Sequence, residues 1–162
     1  NAAGAHESGE IGEAHDPETH LIPNVLEAVL LKEGSLKVFG NDYSTLDGTC
    51  VRDYVHVTDL AQAHLLSLEY MQKNKGFSAF NLGNGNGFSV LEIIKSCERI
   101  TGTEIPFQIY GRREGDSAIL VSENKLAVKN LKWKPKYNDI NNIIRSAWFW
   151  HSTGNKYGDD KK

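Results

Sequence analysis

Apolar positions along this chain follow two periods, which predict an alternation of helices and short strands. Helical spacing marks residues 23–32, 60–71, 89–102 and 140–151, with a shorter helix expected at 123–130. Apolar runs predict strands at 36–40, 51–57, 80–82 and 105–110. Ser89 and Glu92 form a predicted capping box for the third helix, and Thr58 with Asp59 is predicted to cap the second. Residues 33–34 are expected to end the first helix.

Composition narrows the class of protein. Of 162 residues, 40% are hydrophobic and 24% charged, which is typical of a soluble globular domain. The net charge of -3 comes from mixed acids and bases, so no nucleic-acid partner is expected. No apolar run is long enough to span a membrane, and no signal peptide opens the chain. Cys50 and Cys97 lie far apart and are interpreted as buried thiols, so the cytoplasm is the expected compartment.

The most informative stretch covers residues 48–61, Gly-Thr-Cys-Val-Arg-Asp-Tyr-Val-His-Val-Thr-Asp-Leu-Ala. It begins in a turn, continues as a β-prone run and enters the second predicted helix. Alternation places Arg52 on the opposite face from Asp53. A guanidinium held at such a junction presents several fixed donors to an anion such as phosphate. The alternative is a simple surface pair between Arg52 and Asp53.

Two other patterns resemble a metal site and a dinucleotide site, but neither has the required spacing. Residues 1–20 form a predicted loop containing His15, Asp16, Glu18 and His20, but their spacing fits no established metal site, so no metal is predicted. The glycines at 83, 85 and 87 are out of register with the G-x-G-x-x-G pattern of dinucleotide sites, since position 88 is a phenylalanine.

Residues 48–61 closely resemble a signature of the UDP-glucose 4-epimerases (UDP-galactose 4-epimerases) of the extended short-chain dehydrogenase/reductase family. The family version reads G-T-x-V-R-D-Y-I-H-V-x-D-L-A. A second signature, R-R-E-G-D, occupies residues 112–116, and the opening N-A-A-G-A-H matches the end of R-Y-F-N-x-x-G-A-H. The resemblance covers residues 1–152, followed by a polar tail at 153–162. It implies an α/β fold: the C-terminal part of a Rossmann-type, doubly wound parallel sheet, mostly the smaller substrate-binding lobe, with a sheet strand at 80–82.

The resemblance also implies a UDP-sugar site. Eleven positions match family positions that surround this ligand: Asn1, His20, Leu21, Lys37, Val38, Phe39, Arg52, Val90, Arg113, Asp116 and Leu120. The ring of Phe39 and the backbone of residues 37–38 are expected to bracket the uracil. Arg52 and Arg113 are expected on the diphosphate, and Asp116 on the ribose hydroxyls.

The other five positions carry less specific expectations. Asn1 matches an asparagine near the pyrophosphate, and Val90 a residue beside the uridine. His20 and Leu21 stand where other members have Asn-Leu, which leaves the role of His20 open. Leu120 matches a position in the hexose pocket where tyrosine excludes N-acetylated sugars and small residues admit them. Its intermediate size predicts modest tolerance of UDP-N-acetylhexosamines.

In the family, the sugar is inverted at C4 through a 4-keto intermediate that depends on tightly held NAD. The G-x-x-G-x-x-G turn and the Tyr-x-x-x-Lys pair of that chemistry are expected in an N-terminal half that this chain lacks. Tyr157 and Lys161 match the pair by letters alone and are interpreted as a chance match in the tail. The chain is therefore expected to be an inactive C-terminal half whose partners are its own N-terminal half and, when intact, a second copy in a homodimer.

Other interpretations remain open at this stage. UDP-arabinose and UDP-GlcNAc 4-epimerases share these signatures. A non-catalytic UDP-sugar-binding module would fit if the gene begins near residue 1.

Overall fold

The computed structural model describes residues 1–32 and 35–153. In these residues four α-helices lie at Leu21–Leu31 (α1), Val57–Lys73 (α2), Val90–Thr101 (α3) and Ile140–Ser152 (α4). A π-helical turn occupies Ala127–Leu131, which overlaps the end of the short helix expected at 123–130 and extends one residue beyond it. The strands lie at Ala2–Ala3 (β1), Leu36–Phe39 (β2), Val51–Arg52 (β3), Val55–His56 (β4), Phe88–Ser89 (β5), Phe107–Tyr110 (β6) and Ile119–Leu120 (β7).

The strands pair mainly in parallel, as the predicted α/β class requires. Strand β1 pairs with β4, and β2 pairs with β6 over the full length of both strands. Strand β3 lies between β5, its antiparallel neighbour, and β7, its parallel neighbour. This arrangement fixes Arg52 at the centre of a three-stranded sheet rather than at an edge.

The main hydrophobic core lies where α1, α3 and α4 meet. Their apolar stripes supply its fully buried members: Val25, Leu26, Ile93, Ile94, Cys97, Ile143 and Ile144. Burial of each large aliphatic side chain contributes about 1.5–3 kcal/mol relative to exposure. A second, smaller cluster joins α2 to the π-helical turn around Trp133, whose Nε1 donates to the Asp59 carbonyl at 3.0 Å. Helix α1 and the first residue of α3 also line the cavity described below.

The start of α3 confirms the predicted capping box. Ser89 Oγ accepts from Glu92 N at 3.1 Å, while the Glu92 carboxylate accepts from Ser89 N at 2.7 Å. Helix α1 begins at Leu21, two residues before the predicted start, and Lys32 caps its end with φ 51°. The predicted helix terminator at 33–34 lies outside the described residues.

The predicted cap of α2 is wrong, because the helix begins at Val57, three residues before the predicted start at residue 60, with His56 as its N-cap. The imidazole Nδ1 accepts from Thr58 N at 3.1 Å, and Nε2 lies 3.0 Å from Ser146 Oγ. The ring also stacks on Tyr137 at a centroid distance of 3.9 Å. The two carboxylate oxygens of Asp59 instead accept hydrogen bonds from the backbone N–H groups of residues 136 and 137. These partners come from distant segments and hold His56 in the capping position.

The predicted strand at 80–82 is also wrong. Within the described residues no strand pairs with this run, and a strand forms only where a neighbour completes its hydrogen bonds. Phe80 packs edge-on against Tyr70 of α2 at 5.4 Å, and Asn124 donates to the Gly83 carbonyl. The run is held by side-chain contacts instead.

Helix α2 is amphipathic as predicted, but part of its apolar stripe is open to solvent. Ala63 is buried, whereas Leu65, Leu68 and Met71 are 64%, 59% and 67% exposed. None of the helices in the described ranges is sufficiently long and apolar to cross a lipid bilayer.

Candidate functional site

A cavity of about 620 Å³ opens between β2, β3, the N-termini of α1 and α3, and the loop before β7. Its volume is in the range of pockets that hold small organic ligands. Ten of the eleven predicted site residues line it: Asn1, His20, Leu21, Lys37, Val38, Phe39, Arg52, Val90, Arg113 and Asp116. Residues far apart in the sequence therefore converge on one space.

Arg52 is held firmly at the cavity wall. Its Nη1 donates to the carbonyls of Val51 at 2.9 Å and Ser117 at 2.7 Å, and its Nη2 donates to Asp116 Oδ1 at 3.3 Å. The Arg52 side chain is 18% exposed. The alternative surface pair with Asp53 is not observed, because Asp53 is buried and its Oδ2 accepts from Ser122 N at 3.1 Å.

Arg113 lies over the ring of Phe39, with its guanidinium carbon 3.9 Å from the ring centroid. Phe39 also contacts Tyr110 at a centroid distance of 5.9 Å. The neighbouring Arg112 turns the other way, where its Nε donates to Asp42 Oδ1 at 2.7 Å and its guanidinium lies over Tyr43. The two adjacent arginines are thus separated, and of the two only Arg113 is among the cavity-lining residues.

Polar side chains also lie near the start of α1. Asn1 Nδ2 donates to the Asp53 carbonyl at 2.9 Å, and His20 is the N-cap of α1, followed directly by Leu21. His20 Nδ1 lies 2.8 Å from Glu18 Oε1, an oxygen that also accepts from two backbone N–H groups. Burial raises the pKa of Glu18, but these hydrogen bonds outweigh it and hold the pKa below its ordinary value.

Leu120 is the one predicted site residue that does not line the cavity. It lies in β7 opposite Arg52 of β3 and is 62% exposed. Its predicted contact with a hexose therefore stays a prediction.

The cavity wall also contains residues that sequence reasoning did not assign to the site, among them Cys50 and Tyr54. Each lies two residues from Arg52 in the 48–61 stretch, and strand alternation places them on the same face as Arg52, which was the available signal. Cys50 was instead interpreted as a buried thiol. Burial raises the pKa of Tyr54, so its phenol stays protonated at neutral pH.

The side chains around the cavity suit a particular kind of ligand. Two guanidiniums can bind one diphosphate through charge-assisted hydrogen bonds. The Phe39 ring offers an apolar surface for a flat base, and the Asp116 carboxylate can accept from hydroxyl groups.

Comparison with known proteins places the chain in a family. The sequence model described as "NAD dependent epimerase/dehydratase family" matches residues 1–83, just over half of the chain. The chain belongs to this family.

Similar proteins within the family carry a more specific name. A UDP-glucose 4-epimerase of Halalkalibacterium halodurans is 49% identical over 151 residues, which is 93% of this chain and 45% of that protein. A crystal structure of a UDP-glucose 4-epimerase superposes with a TM-score of 0.93 at 48% identity, covering 98% of this chain and 49% of the other. A UDP-glucose 4-epimerase from Bifidobacterium longum, solved with NAD+ and UDP, gives a TM-score of 0.87 at 38% identity and covers 97% and 47%.

The chain spans about half the length of the curated relatives it matches. The α/β fold and the resemblance to the epimerases are thereby confirmed.

Two glycines of the turn at 83–87 pack tightly against neighbouring segments. A side chain at Gly83 would collide with Asp53 and Ser122, and one at Gly87 would collide with Val51 and Val121. Close packing against Asp53, β3 and the segment after β7 accounts for Gly83 and Gly87.

Proposed function

We propose that this chain is the substrate-recognition half of a UDP-glucose/UDP-galactose 4-epimerase. The observation that carries the proposal is the convergence of ten residues, matched to the family's UDP-sugar positions, on one cavity. A cavity lined by two arginines, a phenylalanine and an aspartate has the chemistry of a uridine diphosphate site.

In the proposed complex, Arg52 and Arg113 bind the diphosphate. Arg52 keeps its hydrogen bond to the Ser117 carbonyl, and its Nη2 becomes available when Asp116 leaves it. Arg113 rests on Phe39 and can swing toward the phosphates, which leaves that ring face for the uracil. Asp116 exchanges its contact with Arg52 for the ribose hydroxyls.

Anchoring the substrate through its nucleotide has a mechanistic consequence. The chain's residues hold UDP, so the hexose can present either face to the reacting groups while it stays attached. NAD, when bound, supplies the hydride acceptor and donor for C4. We place the catalytic residues and most NAD contacts in an N-terminal half, so this chain alone is expected to be inactive.

The N-terminal half is also the proposed neighbour of α2. Leu65, Leu68 and Met71 form an exposed apolar stripe of the kind that packs against another part of a protein. A homodimer of the intact protein and a cytoplasmic location remain predictions.

One assay distinguishes an epimerase from a non-catalytic UDP-sugar-binding module. The intact protein is supplied with NAD and UDP-galactose, and UDP-glucose formation is followed. Conversion supports the epimerase and excludes the module. UDP binding without conversion would favour the module, and absence of UDP binding by the folded protein would contradict both.

A further inference from the structure

A second cluster of chemically active side chains lies beside the cavity, in the loop that leads to α1. Glu13, His15 and His20 each bring one potential ligand atom within 4.8 Å of the other two. The rings of His15 and His20 meet edge-on, with centroids 5.1 Å apart. Their sequence spacing matches no established metal motif, which is why the loop was predicted to bind no metal. The fold creates this proximity.

The loop is anchored at both sides of the cluster. The Glu13 carbonyl accepts from Nε1 of Trp150, a core residue of α4, at 2.7 Å. At the other side, His20 is the N-cap residue of α1. Anchored backbone on each side means that the three side chains need only small rotations to meet at one point.

Glu18 prepares His20 for coordination. An ionised carboxylate can only accept, so the 2.8 Å contact between Glu18 Oε1 and His20 Nδ1 places the proton on Nδ1. The lone pair is then on Nε2. Histidines that bind metals usually donate their other N–H to a carboxylate or carbonyl in this way.

The spacing of the first two ligands also fits a metal ion. His15 Nδ1 lies 3.5 Å from Glu13 Oε1. Two ligands bound at 2.0–2.1 Å to a tetrahedral ion are about 3.3 Å apart. A cation between these atoms would therefore need almost no change in their separation.

We propose that Glu13, His15 and His20 bind a divalent transition-metal ion of the Zn²⁺ type at the rim of the cavity. Two imidazoles and one carboxylate are borderline donors that suit Zn²⁺ better than Mg²⁺ or Ca²⁺, which prefer oxygen ligands. Three protein ligands leave a fourth position for water. The site is new relative to the proposed UDP-sugar function and does not depend on it.

The test is a Zn²⁺ titration of the intact, tag-free, chelator-treated protein by calorimetry. We expect one ion per chain, with affinity reduced at least tenfold in His15→Ala, His20→Asn and Glu13→Gln. Glu18→Gln should weaken binding by about tenfold, the usual cost of losing such an orienting partner. His64→Ala is the matched control, since His64 is an exposed histidine on α2 that contacts the Leu60 carbonyl. It should leave Zn²⁺ affinity unchanged.

Two results would overturn the site. One is no saturable Zn²⁺ binding by the parent protein, and the other is equal affinity in the parent and the three ligand variants. Unchanged affinity in Glu18→Gln would remove the orienting role of Glu18. Thermal unfolding without metal checks that every variant is folded, and Co²⁺ absorption spectra report whether the remaining variants keep the same coordination.

Discussion

The two arginines of the cavity provide the sharpest prediction. In the intact protein, replacing Arg52 or Arg113 by alanine should remove the proposed charge-assisted hydrogen bonds to the diphosphate, each set worth about 1.5–3 kcal/mol. At 25 °C this corresponds to a Kd for UDP that is about 10- to 140-fold higher. Arg52 should lie at the upper end, because it is largely buried and oriented by the Ser117 carbonyl. Arg113 should lie at the lower end, because it must leave the ring of Phe39.

Calorimetric titrations with UDP and with uridine distinguish the contribution of the diphosphate to binding from that of the base. Uridine has no phosphates, so its affinity should change little in either variant. Arg112→Ala is the matched control, because Arg112 binds Asp42 and is not among the residues lining the cavity. Arg52→Lys should give an intermediate loss, since lysine keeps the charge without the bidentate geometry. Unchanged UDP affinity in both alanine variants, or equal losses for UDP and uridine, would refute the diphosphate role.

Three further predictions concern the base, the sugar and the fold. Phe39→Ala should weaken the binding of uridine and of UDP equally, by about 1–3 kcal/mol for a lost stacking contact. Weaker binding of UDP alone would contradict this. Leu120→Ala should raise turnover of UDP-GlcNAc by the intact protein. If neither the parent protein nor the variant shows detectable turnover, the predicted position of Leu120 in the hexose pocket is contradicted. Burial raises the pKa of Asp47, but hydrogen bonds from Ser89 and Thr49 outweigh it and hold the pKa below its ordinary value of 3.8. Its stabilising effect is thus complete above that value and is lost as pH falls through the lower folded-state pKa. Asp47→Asn should lower the midpoint of urea unfolding at neutral pH, and the midpoint should then decrease less as the pH is lowered. If the midpoint of the variant depends on acidic pH in the same way as that of the parent protein, Asp47 does not make this contribution.

Local patterns predicted local structure well. The capping box at the start of α3 depends only on residues three positions apart, and both of its hydrogen bonds are present. The start of α2 depends on distant partners. Tyr137 and Ser146 hold His56 as the cap, and nothing near Thr58 in the sequence indicates this. The strand expected at 80–82 failed for the same reason, since apolar content does not supply a pairing neighbour.

In the candidate site, too, features carried by local sequence were predicted and features that depend on the path of the chain were not. Motifs identified Arg52, Phe39 and Arg113, and the fold places all three on one cavity. Leu120 shares the argument from family resemblance but is not among the cavity-lining residues, although β7 pairs it with Arg52 of β3. The proximity of Glu13 to the two histidines depends on the path of an irregular loop, which no periodicity describes.

The central claim is tested most directly by a crystal structure of the intact protein with UDP. The account predicts diphosphate oxygens within hydrogen-bonding distance of the guanidiniums of Arg52 and Arg113, the uracil against the Phe39 ring, and ribose hydroxyls at Asp116. UDP bound elsewhere, with this cavity empty, would contradict it.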